Sequence, residues 1–185
     1  MNEVTQILNA LERGEKQAAN DLLPLVYDEL RRLATLKLAQ EQSGQTLQPT
    51  SLVHEVYLRM LGHEPSLPEY ASRNHFFAAA AQAMRRILIE HARRRKAQKR
   101  GGNWRRQDIT HLPAPELDEE LLDLHEALLE FETLDPIKAR LVEIKYFGGM
   151  SNDEAAAVLG ISASTADRYW SYARAWLQTH IRGLE

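Results

Sequence analysis

The sequence predicts an all-α protein of two small helical domains joined by a flexible linker, the C-terminal domain being a helix-turn-helix. Three observations carry that expectation. Apolar residues recur at three- and four-residue spacing almost throughout, and no β-alternation of useful length or solenoid repeat appears. A stretch of low hydrophobicity punctuated by Gly101, Gly102, Pro113 and Pro115 divides the chain. Residues 140–178 then carry the cap, short helix, glycine turn and second helix of a unit that reads the major groove, with an ordinary helical hairpin as the plain alternative.

In the first half, Val4, Ile7, Leu8 and Leu11 define a short helix that stops at Gly14. A second helix is expected over residues 18–38 with Leu22, Leu25, Val26, Leu30, Leu33 and Leu36 inward, starting or kinking near Pro24. Behind Pro49, a third runs to Leu61 with Leu52, Val53, Val56, Tyr57, Met60 and Leu61 apolar and Thr50 and Ser51 as N-caps. Residues 62–74, with Pro65 and Pro68, read as a loop. A fourth helix over residues 75–99 begins with Phe76 and Phe77, passes through Ala78 to Ala81, and leaves through an arginine run.

Beyond the linker, residues 117–134 form an acidic helix, and Pro136 opens another that reaches Phe147. In the helix-turn-helix, Ser151 and Glu154 form a capping box, and Gly160 turns the chain where a Cβ is costly. Ile161 plugs the corner, and Ser162 or Ser164 caps the last helix. There Ala166, Trp170, Ala173 and Leu177 share the inner face, leaving Thr165, Asp167, Arg168, Ser171, Tyr172 and Arg174 outside.

The 185 residues, 44% of them hydrophobic, suffice for one ordinary domain or two small ones. The opening MNEVTQILNALERGE lacks a signal peptide's basic start and apolar run, no membrane span is readable, and the absence of cysteine suits a reducing cytoplasm. The net charge of -3 hides a polarity. Between Arg85 and Arg106, ten Lys and Arg face Glu90 alone, which leaves +9; between Gln107 and Asp135, ten Asp and Glu face no Lys or Arg, which leaves -10. The basic block is a candidate polyanion surface, with a solvated helix end as the plain alternative. The acidic run from Glu116 to Asp123 is a candidate metal holder, but more simply a solvated face or an electrostatic partner that masks the arginines. No catalytic or cofactor-binding pattern is present: the seven histidines are scattered, and no metalloprotease, phosphate-loop or nucleophile-elbow motif occurs.

Four segments in order, LLPLVYDELRRLA, LQPTSLVHEVYLRML, HFFAAAAQAMRRILIEHARRRKAQKRGG and LDPIKARLVEIKYFGGMSNDEAAAVLGIS with ARAWL, give nearly the whole chain a resemblance to extracytoplasmic-function sigma factors of bacterial RNA polymerase. The resemblance implies a promoter-melting and polymerase-binding domain over residues 1–100, a linker over 101–116 and a domain over 117–185 that reads the minus-thirty-five element. It implies core RNA polymerase as a partner, through the β′ clamp helices and the β flap, together with promoter DNA. It places Leu52, Val53, His54, Glu55, Tyr57 and Arg59 at the polymerase, Glu55 and Arg59 being the exposed members. It places Arg85, Arg86, Arg93, Arg94, Arg95 and Lys96 at the minus-ten element, where they would grip phosphates. Extruded bases need stacking surfaces, for which Tyr70, Asn74, Phe76 and Phe77 are the candidates, although paired phenylalanines are commonly core. Ser164, Thr165, Asp167, Arg168, Ser171, Tyr172 and Arg174 fall to the upstream element.

The chain also departs from its relatives. Many carry asparagine where this chain has Arg86, tryptophan where it has Ala79, and a basic residue where it has Asp167, whose carboxylate repels phosphate but can accept from a cytosine amino group. Many carry carboxylates where Thr50 and Ser51 stand. Phosphorylation of either by a Ser/Thr kinase would restore negative charge at a helix N-terminus and make an anti-sigma factor dispensable as the control. A conventional helix-turn-helix regulator acting at an operator is the rival reading. The acidic segment is also a candidate to fold over the basic one in the free chain until polymerase separates them.

Overall fold

The computed structural model describes residues 3–39, 47–61, 70–101 and 116–181. Every described element is a helix: α1 (Glu3–Glu12), α2 (Lys16–Ala39), α3 (Pro49–Leu61), α4 (Arg73–Gly101), α5 (Glu116–Leu134), α6 (Pro136–Gly148), α7 (Asn152–Leu159) and α8 (Ala163–His180). Most of the expected linker, and the loop between α3 and α4 up to residue 69, lie outside the described residues.

Local chemistry sets the helix ends. Gly14, at φ 79, takes the left-handed turn after α1. Ser72 caps α4: its hydroxyl accepts from the His75 N–H at 3.3 Å and its carbonyl from the Phe76 N–H at 3.0 Å. The helix therefore starts two residues before the expected His75. Asp135 caps α6 by accepting from the Lys138 N–H at 3.0 Å, with Pro136 pre-set for the first turn. Thr50 and Ser51 do not cap α3. The Gln48 carbonyl accepts from the Leu52 N–H, which puts Pro49 first in the helix and Thr50 and Ser51 inside its first turn.

Leu22, Val26, Leu30 and Leu33 of α2 pack inward, but Leu25 and Leu36, expected inside, are 39% and 53% exposed. At 100° per residue these two fall roughly 80–100° round from the centre of the buried stripe. Pro24 lies inside α2 on its solvent side, so the helix runs past it.

At the centre lies α4, with α1 and α3 on one side and α5, α6 and α7 on the other; α2 packs against α3 and reaches α6. One contiguous apolar cluster runs through both halves of the chain, from Val4 and Leu8 through Phe76, Met84 and Ile87 to Phe131, Phe147 and Leu177. The halves meet closely where α6 ends. A Cβ on Gly148 would stand 3.0 Å from the Ala81 Cβ, and one on Gly149, at φ 62, only 2.6 Å from Leu33 Cδ2.

Candidate nucleic-acid interface

The helix-turn-helix forms as its residues dictate. Ser151 accepts from the Glu154 N–H while the Glu154 carboxylate accepts from the Ser151 N–H at 2.9 Å, closing the capping box and holding that carboxyl below its usual range. Gly160 turns at φ 65, and Ile161 packs against the core at the corner. Of the two candidate serines, Ser162 is the cap, accepting from the Thr165 N–H at 3.2 Å. Ala166, Ala173 and Leu177 are buried and Trp170 half-buried, while Ser164, Asp167, Arg168, Ser171, Tyr172 and Arg174 are exposed and Thr165 half-exposed. This is the face such a unit lays in a major groove.

Two features of that face were not readable in the sequence. Asp167 accepts a hydrogen bond from the Asn152 side chain, so its carboxylate braces α8 to the start of α7 besides facing solvent. Tyr172 rests beside Phe131, with the Lys138 ammonium 4.9 Å from its ring centre. Trp176 stacks on Phe131 at 4.5 Å and on His180 at 3.7 Å, which fixes the far end of α8 to α5.

On α4 the basic block splits. Arg86, Arg93 and Arg94 are exposed, whereas Arg95 and Lys96 are half-buried and Arg85 is 7% exposed. Arg85 was expected at DNA, but here its Nη1 donates to Glu143 Oε1 at 3.1 Å and its Nη2 contacts His125 Nδ1 at 3.1 Å. His125 serves as the acceptor because it stays neutral: burial, then the charges of Arg85 and Arg93, push its pKa down to about 4. Arg140 adds a second cation to Glu143, so the buried carboxylate faces two guanidiniums.

The aromatic residues expected to stack on bases are structural. Phe76 and Phe77 are buried edge to face, 5.5 Å apart. Tyr70 packs on Phe76, is itself buried, and donates its hydroxyl to the Met60 carbonyl at 3.3 Å. Phe76 and Phe77 have no free surface for a base, whereas Tyr70, though only 7% exposed, borders a cleft between α3 and α4. Asn74, in the first turn of α4, is half-buried. The accessible feature beside them is an open cleft of about 570 Å³ between α3 and α4, whose polar lining is Arg59, Gln82, Arg86 and Glu90.

Of the residues expected at the polymerase, Leu52 and Val53 are fully buried core, because they face α2 and α4. Tyr57 is half-buried and donates to the Ala19 carbonyl on α2. His54 is exposed. Glu55 and Arg59 are not free: Arg59 bridges Glu90 at 2.6 Å and Glu55 at 3.1 Å. The hydrogen bond from Arg59 holds the Glu90 carboxyl below its usual range. The Glu55–Arg59 pair spans four residues on one helix, but Arg59's other partner, Glu90, lies 31 residues away, where no periodicity reaches.

Among the described residues no helix is long and apolar enough to cross a membrane, and no group of three His, Asp or Glu could hold a metal ion. No curated protein matches the chain. Over residues 1–183 the chain matches the model described as ECF sigma factor, and it belongs to that family of DNA-binding transcription initiation factors that work with RNA polymerase.

Proposed function

We propose that residues 1–100 bind core RNA polymerase and melt the promoter at a minus-ten element, that residues 117–185 read a minus-thirty-five element, and that residues 101–116 link them. The observation that carries this reading is an exposed arginine row on α4 in the same chain as an exposed, correctly capped recognition helix. Arg86, Arg93 and Arg94 contribute salt-dependent phosphate affinity. The cleft beside them, which Tyr70 borders, offers Arg86 and Gln82 as donors and Glu90 as an acceptor to an extruded base, the role that Phe76 and Phe77 are too buried to play. On α8, Ser164, Thr165, Arg168, Ser171, Tyr172 and Arg174 form the upstream reading set. His54, with the Glu55–Arg59–Glu90 cluster, faces the β′ clamp helices, and the C-terminal half faces the β flap.

Control by a Ser/Thr kinase at Thr50 or Ser51 belongs to the same proposal. Both hydroxyls are exposed in the first turn of α3, where unpaired backbone N–H groups favour an added phosphoryl group. Core-polymerase affinity that is the same for wild type, Thr50→Ala, Thr50→Glu and the matching Ser51 variants removes this control, leaving an anti-sigma factor as the regulator. The main reading is tested by adding the purified chain to core RNA polymerase on a defined promoter. Initiation that depends on the chain supports it; operator binding without polymerase-dependent transcription assigns the chain to conventional regulators instead.

A further inference from the structure

The outward side of α8 carries many polar groups, yet its serine hydroxyls are already committed as donors. The Ser162 hydroxyl donates to Thr165 Oγ1 at 2.9 Å, so at its 3.1 Å contact with Ser164 it is the Ser164 hydroxyl that donates. The Ser171 hydroxyl donates to the Asp167 carbonyl at 3.0 Å. Arg168 and Arg174 are exposed, make no ion pair among the described residues, and can only donate. Asp167 is the one carboxylate of α8, exposed at its fifth position, within the part of a recognition helix that meets base edges.

Phosphates repel a carboxylate on that side, and the structure nonetheless fixes this one in place. The Asn152 amide donates to Asp167 Oδ1, the only polarity open to the pair because a carboxylate accepts. In this orientation the Asn152 Oδ1 is buried without a hydrogen-bond partner. Leaving a buried acceptor unpaired is unfavourable. What it achieves is a carboxylate with one oxygen tied to α7 and the other, Oδ2, unshared.

A charged group that only accepts discriminates sharply among base edges. In the major groove cytosine presents its N4 amino group as a donor, whereas thymine presents O4 and guanine presents O6 and N7, all acceptors that repel a carboxylate. Adenine presents a donor at N6 but the N7 acceptor beside it. Cytosine is therefore the base that Oδ2 fits. Arg168, next along the helix and about 100° round it, offers the complementary donors to O6 and N7 of a guanine.

We propose that Asp167, held by Asn152, is a specificity-determining residue for the upstream element and selects a cytosine through its N4 amino group; this rests on the sigma reading above. Asn152 is a positioning residue. Its loss frees the carboxylate to turn, which weakens the selection without changing the base selected.

The test uses the full chain with core RNA polymerase and promoter duplexes that carry each of the four bases in turn at every position of the upstream element, read as relative initiation. The wild type should favour cytosine over thymine at one position by about ten-fold. Asp167→Asn keeps an oxygen for Asn152 and puts an amide donor where Oδ2 stood, so the preference at that position should pass to thymine or guanine. Asp167→Ala should reduce it below about two-fold, and Asn152→Ala should leave cytosine favoured by only about three-fold. Preferences at the remaining positions should hold in all three variants, which separates a lost base contact from a lost fold. No cytosine preference in the wild type, or an Asp167→Asn profile that superposes on the wild type's, overturns the proposal. An Asn152→Ala profile equal to the wild type's overturns the positioning role. Binding of the same duplexes by the chain alone separates this inference from the sigma reading. A cytosine preference that depends on Asp167 there, without initiation on any promoter, removes the sigma reading alone; initiation with a base profile indifferent to Asp167 removes the base contact alone.

Discussion

The helix-turn-helix and the basic helix α4 are built on opposite principles. The caps and the turn that shape α7 and α8 lie within a few residues of their partners, Ser151 with Glu154, Ser162 with Thr165 and Gly160 at the corner, and only Asp167 and Tyr172 of the exposed face reach farther, to Asn152 and to Phe131 and Lys138. The features that decide what α4 can do come from far along the chain. Arg59 meets Glu90 across 31 positions, Arg95 meets Asp118 across 23 and Arg85 meets Glu143 across 58. A locally specified element keeps its surface wherever it is placed, whereas α4's surface depends on what is packed against it. Among its residues of described burial, the same basic run is three exposed cations, a half-buried pair and one buried, ion-paired side chain in a single helix.

Removing a distant partner should therefore hurt most. Glu143→Ala leaves Arg85 buried without its carboxylate and should lower unfolding free energy by about 3–5 kcal/mol in denaturant titration. A loss below about 1 kcal/mol would mean that the pair contributes little and that the contrast between the regions is false.

Acid comes next. His125 is neutral in the fold, with its pKa pushed down to about 4 from an ordinary 6.5 by burial, Arg85 and Arg93, opposed by Glu143. Its contribution is complete above about pH 6.5 and is lost progressively as pH falls toward 4, because the unfolded chain takes the proton first. Discounted for a ring that is only half-buried, the loss is roughly 1–2 kcal/mol, and His125→Gln should flatten that part of the pH profile.

Local caps come lower still. Ser151→Ala removes one half of a capping box and should cost about 1 kcal/mol, with wild-type behaviour in the contact between α4 and α5. A change in that contact would show that the two regions are coupled. The smallest effect is expected at Asp167→Ala: about 0.5–1 kcal/mol of stability for the lost brace to Asn152. It should be joined by tighter non-specific duplex binding, because a negative charge leaves the recognition face. Unchanged binding in a gel-shift titration would place that face away from DNA.

Legibility followed the same division. The cap at Ser151, the start of α6 at Pro136, the glycine turns and the helix order were readable because helix signals act over three or four residues. Ser72 as the cap of α4 was available to the same reasoning, its hydroxyl standing three residues before His75. Leu25 and Leu36 illustrate the limit: each is apolar and near the stripe, but whether a flank position is covered depends on a neighbour. Tyr70, Phe76 and Phe77 illustrate it again, since an aromatic residue that would stack on a base and one that fills a core look alike until their surroundings are known.

By itself the sequence determined the all-helical class, where most helices begin and end, the exposed face of α8 and the presence of a strongly basic and a strongly acidic segment. Periodicity, capping and charge are properties of neighbours along the chain, and they survive being read one residue at a time. Only the tertiary structure decided which arginines are open to solvent, which carboxylates hold the others, that Asp167 is a brace and that an open cleft stands beside Arg86. Those outcomes depend on burial and on partners dozens of residues away, and desolvation makes a charge inside a contact behave unlike the same charge on a free helix.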